Sequence, residues 1–154
     1  MIMKQFNLTE LYDSGAMLQR QLPGYNYNPR THIDKANVIS YDYSGLWYLS
    51  TQGVDFEEGD LAFVDEDADR LIAPIAGRFV AFTAGVENLH VARATALKAE
   101  ETPAGQEARL NAEQKDTREG RLVLSMWFTC SEAHGVTRPV NSPAGMLAML
   151  GNWF

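Results

Sequence analysis

Short strand-like runs recur along the chain between turn-forming residues. "NVISYDYSGLWYLST", "DLAFVDE", "RLIAPIAGRFVAFTA", "NLHVARAT" and "RLVLSMWFT" are mostly rich in β-branched and aromatic residues and bounded by Gly, Asp or Pro. This rhythm predicts a sandwich, jelly roll or barrel. The first twenty residues predict a short amphipathic element, and "LPGYNYNPR" predicts a loop marked by Pro23, Gly24 and Pro29. Residues 96 to 120, "ALKAEETPAGQEARLNAEQKDTREG", break the rhythm. Helix formers dominate there and large apolar residues are nearly absent, so the segment predicts an exposed insertion at about 96–119, closed by Gly120. The tail "SPAGMLAMLGNWF" predicts a short closing helix with an apolar face. No internal repeat is present, and a single domain over 1–154 is expected.

Composition narrows the possibilities. A chain of 154 residues can bury one core, and 45% apolar with 21% charged residues is the profile of a globular protein. The net charge of -7 argues against a nucleic-acid or anionic-membrane partner, which would need a basic face. One cysteine, Cys130, excludes an intramolecular disulfide, and it is expected to be a small buried apolar residue. No apolar run has the length of a membrane helix, and "MIMKQFNLTELYDSG" lacks a signal-peptide core. The cytoplasm is the default expectation. Oligomeric state is not fixed by the sequence.

The chemistry concentrates around three histidines, His32, His90 and His134. His32 and Asp34 are two apart in "RTHIDKANVIS", so in a strand they share one face. Alone, such a pair is commonly a capping Asp beside a surface His. His90, in "GVENLHVARA", could equally be a neutral core histidine. Brought together, two histidines and a carboxylate form the facial triad of non-haem Fe(II) oxygenases. His134 lies past the last strand and reads as a surface residue. In "GRLVLSMWF", alternation puts Arg121, Val123, Ser125 and Trp127 on one face, with Leu122, Leu124, Met126 and Phe128 on the other. The second face is wholly apolar, so something covers it. A buried Arg121 needs an anionic partner, either a protein carboxylate or a bound one gripped in bidentate fashion. Ser125 could add a hydroxyl.

Taken in order, these motifs resemble the prolyl (lysyl) hydroxylase-like branch of the 2-oxoglutarate/Fe(II) dioxygenases. "THID" resembles the family's His-x-Asp. "SGLWYLST" resembles the following strand, in which a Tyr often binds 2-oxoglutarate. "VDFEEGDLAF" resembles its Phe-x-Gly-Gly-Glu/Asp-Leu-x-Phe hairpin. "IAPIAGRFVAFTAGVENLHVA" resembles the Pro-x-x-Gly-Arg-x-x-x-Phe run that leads to the second metal His. "GRLVLSMWFT" resembles the last core strand, whose first Arg holds the distal carboxylate of 2-oxoglutarate. The resemblance spans roughly residues 22 to 130.

The resemblance implies a mainly β fold, a double-stranded β-helix (jelly-roll) core with short flanking helices. It implies Fe(II) held by His32, Asp34 and His90, and 2-oxoglutarate bound by Arg121, Tyr48 and Ser125. Tyr25, Tyr27 and Trp127 are further candidate contacts to cosubstrate or substrate. Ascorbate is a further implied cofactor. The implied reaction decarboxylates 2-oxoglutarate to succinate while hydroxylating a prolyl or other peptidyl side chain, or a small molecule. Three features depart from the family. Glu58-Gly59 stands where it has Gly-Gly, the insertion stands where it has a short turn, and only about thirty residues precede the barrel. If the His90 and Arg121 strands form an antiparallel hairpin, their two starts lie at opposite ends of it, a gap that a short dicarboxylate can bridge. Two other classes stay open on the residues alone: a cupin-like metalloprotein of other chemistry, and a catalytically silent β-barrel used for binding.

Overall fold

The computed structural model describes residues 1–23, 29–97 and 120–136. Tyr25 and Tyr27, most of the insertion, and the closing helix expected at 142–154 lie outside the described residues.

The strands are β1 (Tyr12–Gln21), β2 (Tyr43–Tyr48), β3 (Glu57–Glu58), β4 (Leu61–Phe63), β5 (Arg70–Ile72), β6 (Phe79–Thr83), β7 (His90–Ala92), β8 (Thr95–Ala96) and β9 (Arg121–Thr129). Among the described residues, two single-turn α-helices accompany them, α1 (Ile2–Gln5) and α2 (Asp34–Asn37), with 3-10 turns at Val86–Asn88 and Glu132–His134. The larger sheet has the order β1-β9-β2-β6 and the smaller β5-β4-β7, with β3 and β8 as a separate pair. Among the described residues every pairing between these strands is antiparallel. The mainly β, jelly-roll expectation holds. Among the described residues no helix is long and apolar enough to cross a membrane.

The expectation for the first twenty residues changes. They form the turn α1 and then a ten-residue strand, not one amphipathic element. The reason is tertiary: β1 pairs with β9 along its length, from Tyr12 against Thr129 to Gln21 against Arg121, with one bulge between Asp13 and Gly15. Hydrogen bonding to a sheet edge decides this segment, and local amphipathicity cannot register an edge.

Directly opposed residues of an antiparallel pair point to the same side. On β9, Arg121, Val123, Ser125 and Trp127 therefore share a face with Gln21, Gln19, Met17 and Gly15 of β1. They share it also with Tyr48, Leu46 and Ser44 of β2. Phe82, opposite Ser44, meets Phe63 of the smaller sheet edge-on with ring centres 5.0 Å apart. This face thus looks into the jelly roll. The opposite face is covered at the Phe128 end, where Ile2 and Leu11 form a buried cluster with Phe128 and are joined by Met3, Phe6, Leu8, Tyr43 and Met126. The chain supplies its own cover there with residues 2–11.

Strands β7 and β9 do not form a hairpin, because β7 pairs with β4 in the smaller sheet while β9 lies between β1 and β2 in the larger. The connection between them passes from one sheet to the other. Cys130 is exposed, not buried, because β9 ends at Thr129 and the next side chain turns outward. At the departure from Gly-Gly, Glu58 itself adopts a left-handed backbone (φ 56) before Gly59 (φ 83). A non-glycine residue in that conformation costs about 1 kcal/mol relative to glycine. Gly59 has no such latitude: a Cβ would lie 2.7 Å from Thr95 Cγ2 and 3.0 Å from Phe56.

Candidate functional site

His32 and His90 are directly opposed in an isolated antiparallel bridge. The His32 N–H donates to the His90 carbonyl and the His90 N–H to the His32 carbonyl, each at 2.9 Å. That register puts both imidazoles on one side, with ring centres 4.5 Å apart. Asp34 reaches the same point by a different route from the one expected. It is not a strand residue but the first residue of α2, following the extended Ile33. The chain turns at once because the Asp34 carbonyl accepts from Val38 N–H at 3.2 Å, and the Lys35 N–H is held by the Ala84 carbonyl at 3.0 Å. Asp34 Oδ1 lies 3.4 Å from His32 Nε2 and 4.0 Å from His90 Nε2. One ligating atom from each of the three residues lies within 4.8 Å of the others.

Hydrogen bonds fix which imidazole nitrogens face this point. His32 Nδ1 is 2.9 Å from the Arg30 carbonyl, and His90 Nδ1 is 2.9 Å from the Asn88 carbonyl. A carbonyl only accepts, so each Nδ1 carries a proton, and Nε2 is the nitrogen turned inward: on His32 it donates to Asp34 when the ring is protonated, and on either ring it offers a lone pair when the ring is neutral. Ser44 donates its hydroxyl to Asp34 Oδ2. Burial pushes the Asp34 carboxyl up, but bonds from His32, Ser44 and Trp127, with the charge of His90, outweigh it and hold the group below its ordinary range. The Asp34 bond raises His32 above the usual imidazole value, against the effect of burial. His90 moves the other way. It is buried, with Phe82 and Phe63 rings 5.0 and 5.9 Å away, and loss of water lowers its pKa. Two neutral imidazoles and an ionised carboxylate with convergent lone pairs suit a divalent first-row metal ion.

The second part of the site lies further along the same interior. Arg121 is 6% exposed. Its Nη1 donates to the carbonyls of Gly59 at 2.8 Å and Arg93 at 3.0 Å, and its Nη2 to the side-chain oxygen of Gln21. Arg93 follows His90 by three residues, about 10 Å along an extended chain. Tyr48 is buried on this face, and loss of water pushes its hydroxyl up to about 12 against the lowering influence of Arg121. Ser125 is also buried, with its Oγ 3.4 Å from Gln19 Oε1. Trp127 closes the face at the triad end and stacks on Tyr41 with ring centres 5.3 Å apart. His134 is exposed and lies apart from the triad, as expected of a surface residue.

No family model matches the chain. Similar proteins are nevertheless found. The 2-oxoglutarate and iron-dependent oxygenase domain-containing protein 3 of Xenopus tropicalis is 34% identical over 108 residues, which are 70% of this chain and 27% of that protein. Human prolyl 3-hydroxylase 3 is 32% identical over 118 residues, 75% of this chain and 11% of that protein. Among solved structures, an oxidoreductase of the 2OG-Fe(II) oxygenase family from Burkholderia pseudomallei superposes with a TM-score of 0.59. It is 14% identical, over 83% of this chain and 48% of that one. A Trichoplax adhaerens prolyl hydroxylase, in complex with a hypoxia inducible factor peptide fragment, gives 0.51 at 18% identity, over 77% and 46%. The chain belongs to the 2-oxoglutarate- and iron-dependent oxygenase family. It is prolyl hydroxylase-like within that family, and it spans just over a quarter of the length of the oxygenase domain-containing relatives it matches.

Within this chain, the interior brings together His32, Asp34 and His90, and sets Arg121, Tyr48, Ser125 and Trp127 along one face of the larger sheet. Sequence reasoning missed Ser44, Gln21, Tyr41 and Asn88. Ser44 was within reach: it shares a face with Tyr48 by simple alternation in "YSGLWY". Gln21 was not, because its segment gives no sign that it pairs with Arg121.

Proposed function

We propose that this chain is an Fe(II)- and 2-oxoglutarate-dependent dioxygenase domain that hydroxylates a prolyl or other peptidyl side chain. The observation that carries the reading is the convergence of His32, Asp34 and His90, with both Nδ1 protons committed to backbone carbonyls. In this reading those three residues hold Fe(II). Arg121 pairs with the distal carboxylate of 2-oxoglutarate, and Tyr48 and Ser125 line the same stretch. Trp127 contacts cosubstrate or substrate, and Tyr25 and Tyr27 are alternative candidates for a further contact. The whole chain acts as one domain. Bound iron, with 2-oxoglutarate and dioxygen as co-substrates, would supply the oxidising chemistry: one oxygen atom of dioxygen ends in succinate as carbon dioxide leaves, and the other in the substrate hydroxyl. The protein orients the cosubstrate, keeps Asp34 ionised, and walls His90 off from water with Phe63 and Phe82. A peptidyl substrate is favoured because one relative is named a prolyl 3-hydroxylase and one structural neighbour was solved with a peptide.

The test is anaerobic titration with Fe(II) and then 2-oxoglutarate. A metal-to-ligand charge-transfer band in the visible is expected, followed in air by succinate and by one oxygen gained on a proline-containing peptide. Metal binding without the band would point to a metalloprotein of other chemistry. No metal binding would point to a silent β-barrel.

A further inference from the structure

We propose that Asn88 is a positioning residue for His90. Its carboxamide locks the turn whose carbonyl holds the His90 Nδ1 proton, and so keeps Nε2 as the ligating lone pair. The inference builds on the reading of His90 as a metal ligand. It starts from a difference between the two histidines. His32 bonds the carbonyl of Arg30, an exposed residue. His90 bonds the carbonyl of Asn88, the last residue of the turn Val86–Asn88, and the side chain of Asn88 is itself anchored.

That anchor is twofold. Asn88 Nδ2 donates to the Thr83 carbonyl at 3.0 Å and to the Thr83 hydroxyl at 2.7 Å. The Thr83 hydroxyl in turn donates to the Glu87 carboxylate. Thr83 is the last residue of β6 and lies opposite Tyr43 of β2, so the anchor ties the turn to the rigid larger sheet. The next residue strengthens the tie, since Ala84 N–H donates to the Asp42 carbonyl at 2.9 Å. A carboxamide suits this position because one NH2 group can serve a carbonyl and a hydroxyl together. A carboxylate cannot donate to the carbonyl, and an alanine can do neither. Outer partners of this kind fix the tautomer and ring orientation of a ligating imidazole, and their loss typically lowers metal affinity 10- to 100-fold.

The experiment reads the imidazole nitrogens of the metal-free protein by 15N NMR, at a pH where both histidines are neutral, and Mn(II) affinity by calorimetry. Wild type should show His90 in the Nδ1–H tautomer. Asn88→Ala should populate the Nε2–H tautomer at His90, leave His32 unchanged, and bind Mn(II) about 10-fold more weakly. If Asn88→Ala fails to fold, Asn88→Asp serves. It keeps the size and can accept from the Thr83 hydroxyl but cannot donate to the carbonyl, and it carries the same expectation. An unchanged His90 tautomer in the folded variant overturns the proposal, whatever the affinity does. Wild-type protein that binds no Mn(II) would sink the proposed function instead, and the tautomer comparison would still decide the role of Asn88.

Discussion

The two ends of the interior face are built from different physical materials. At the triad end, three ionisable groups converge within 4.8 Å, and their protonation is mutually dependent. At the other end stands a guanidinium, permanently charged, whose named acceptors Gly59 O, Arg93 O and Gln21 Oε1 are all neutral. One end can be switched by protons and the other cannot. A cosubstrate that touches both would meet a tunable metal and a fixed charge. This separation predicts that a substitution at the Arg121 end leaves metal binding nearly untouched.

The largest effect should come from Asp34→Ala. It removes the carboxylate of the proposed metal site and leaves two imidazoles facing each other, so Mn(II) or Fe(II) affinity should fall more than the roughly 100-fold upper range seen when a group that only supports a ligand is lost. Calorimetry checks this, and equal affinities in wild type and variant would end the triad assignment. His134→Ala should bind metal as wild type does.

Arg121→Ala comes next. Loss of a charge-assisted contact should cost about 1.5 to 3 kcal/mol in 2-oxoglutarate binding while metal affinity stays nearly constant. If both affinities stay at wild-type values, Arg121 has a structural role, to which its bonds to Gly59, Arg93 and Gln21 contribute.

Proton competition sharpens the same contrast. His32 is raised by its bond to Asp34, so below that raised pKa its Nε2 carries a proton that a metal must displace. Metal affinity should therefore be flat above the His32 pKa and fall as pH drops through it. His90, lowered by burial, should add a second fall at lower pH, while Asp34 stays ionised through both. Calorimetry in buffers of different ionisation enthalpy measures the protons released. An affinity that does not change with pH over this range would show that the three groups do not ligate together.

The smallest effect is expected from the insertion. Its described flanks both lie at the Arg121 end. Ala96 pairs with Glu57 beside Gly59, and Gly120 N–H meets the Asp55 carbonyl at 3.4 Å. Gly120 is forced there by a left-handed backbone (φ 84) and by the Gln21 carbonyl, which a Cβ would strike. Replacing residues 97–119 with a short Gly-containing turn should preserve metal binding and succinate formation, with folding checked by circular dichroism. A folded, metal-binding variant that loses substrate-coupled turnover would join the insertion to the triad end after all.

The sequence by itself determined whatever depends on short-range period and residue type. The period-two alternation of "RLVLSMWF" and "SGLWY" sets Arg121, Ser125, Trp127 and Tyr48 on one face, and the pairing confirms it. His-x-Asp and a later His were legible as candidates because imidazole and carboxylate are among the few side chains that ligate a divalent metal. The tertiary structure alone decided that Asp34 turns into a helix, that residues 12–21 complete a sheet, and that β7 and β9 lie in different sheets. Those outcomes depend on partners far away in the chain. It alone also decided which carbonyls hold His32, His90 and Arg121. Every residue has a carbonyl, so side-chain identity cannot mark the ones that matter, and only the folded backbone selects Arg30, Asn88, Gly59 and Arg93.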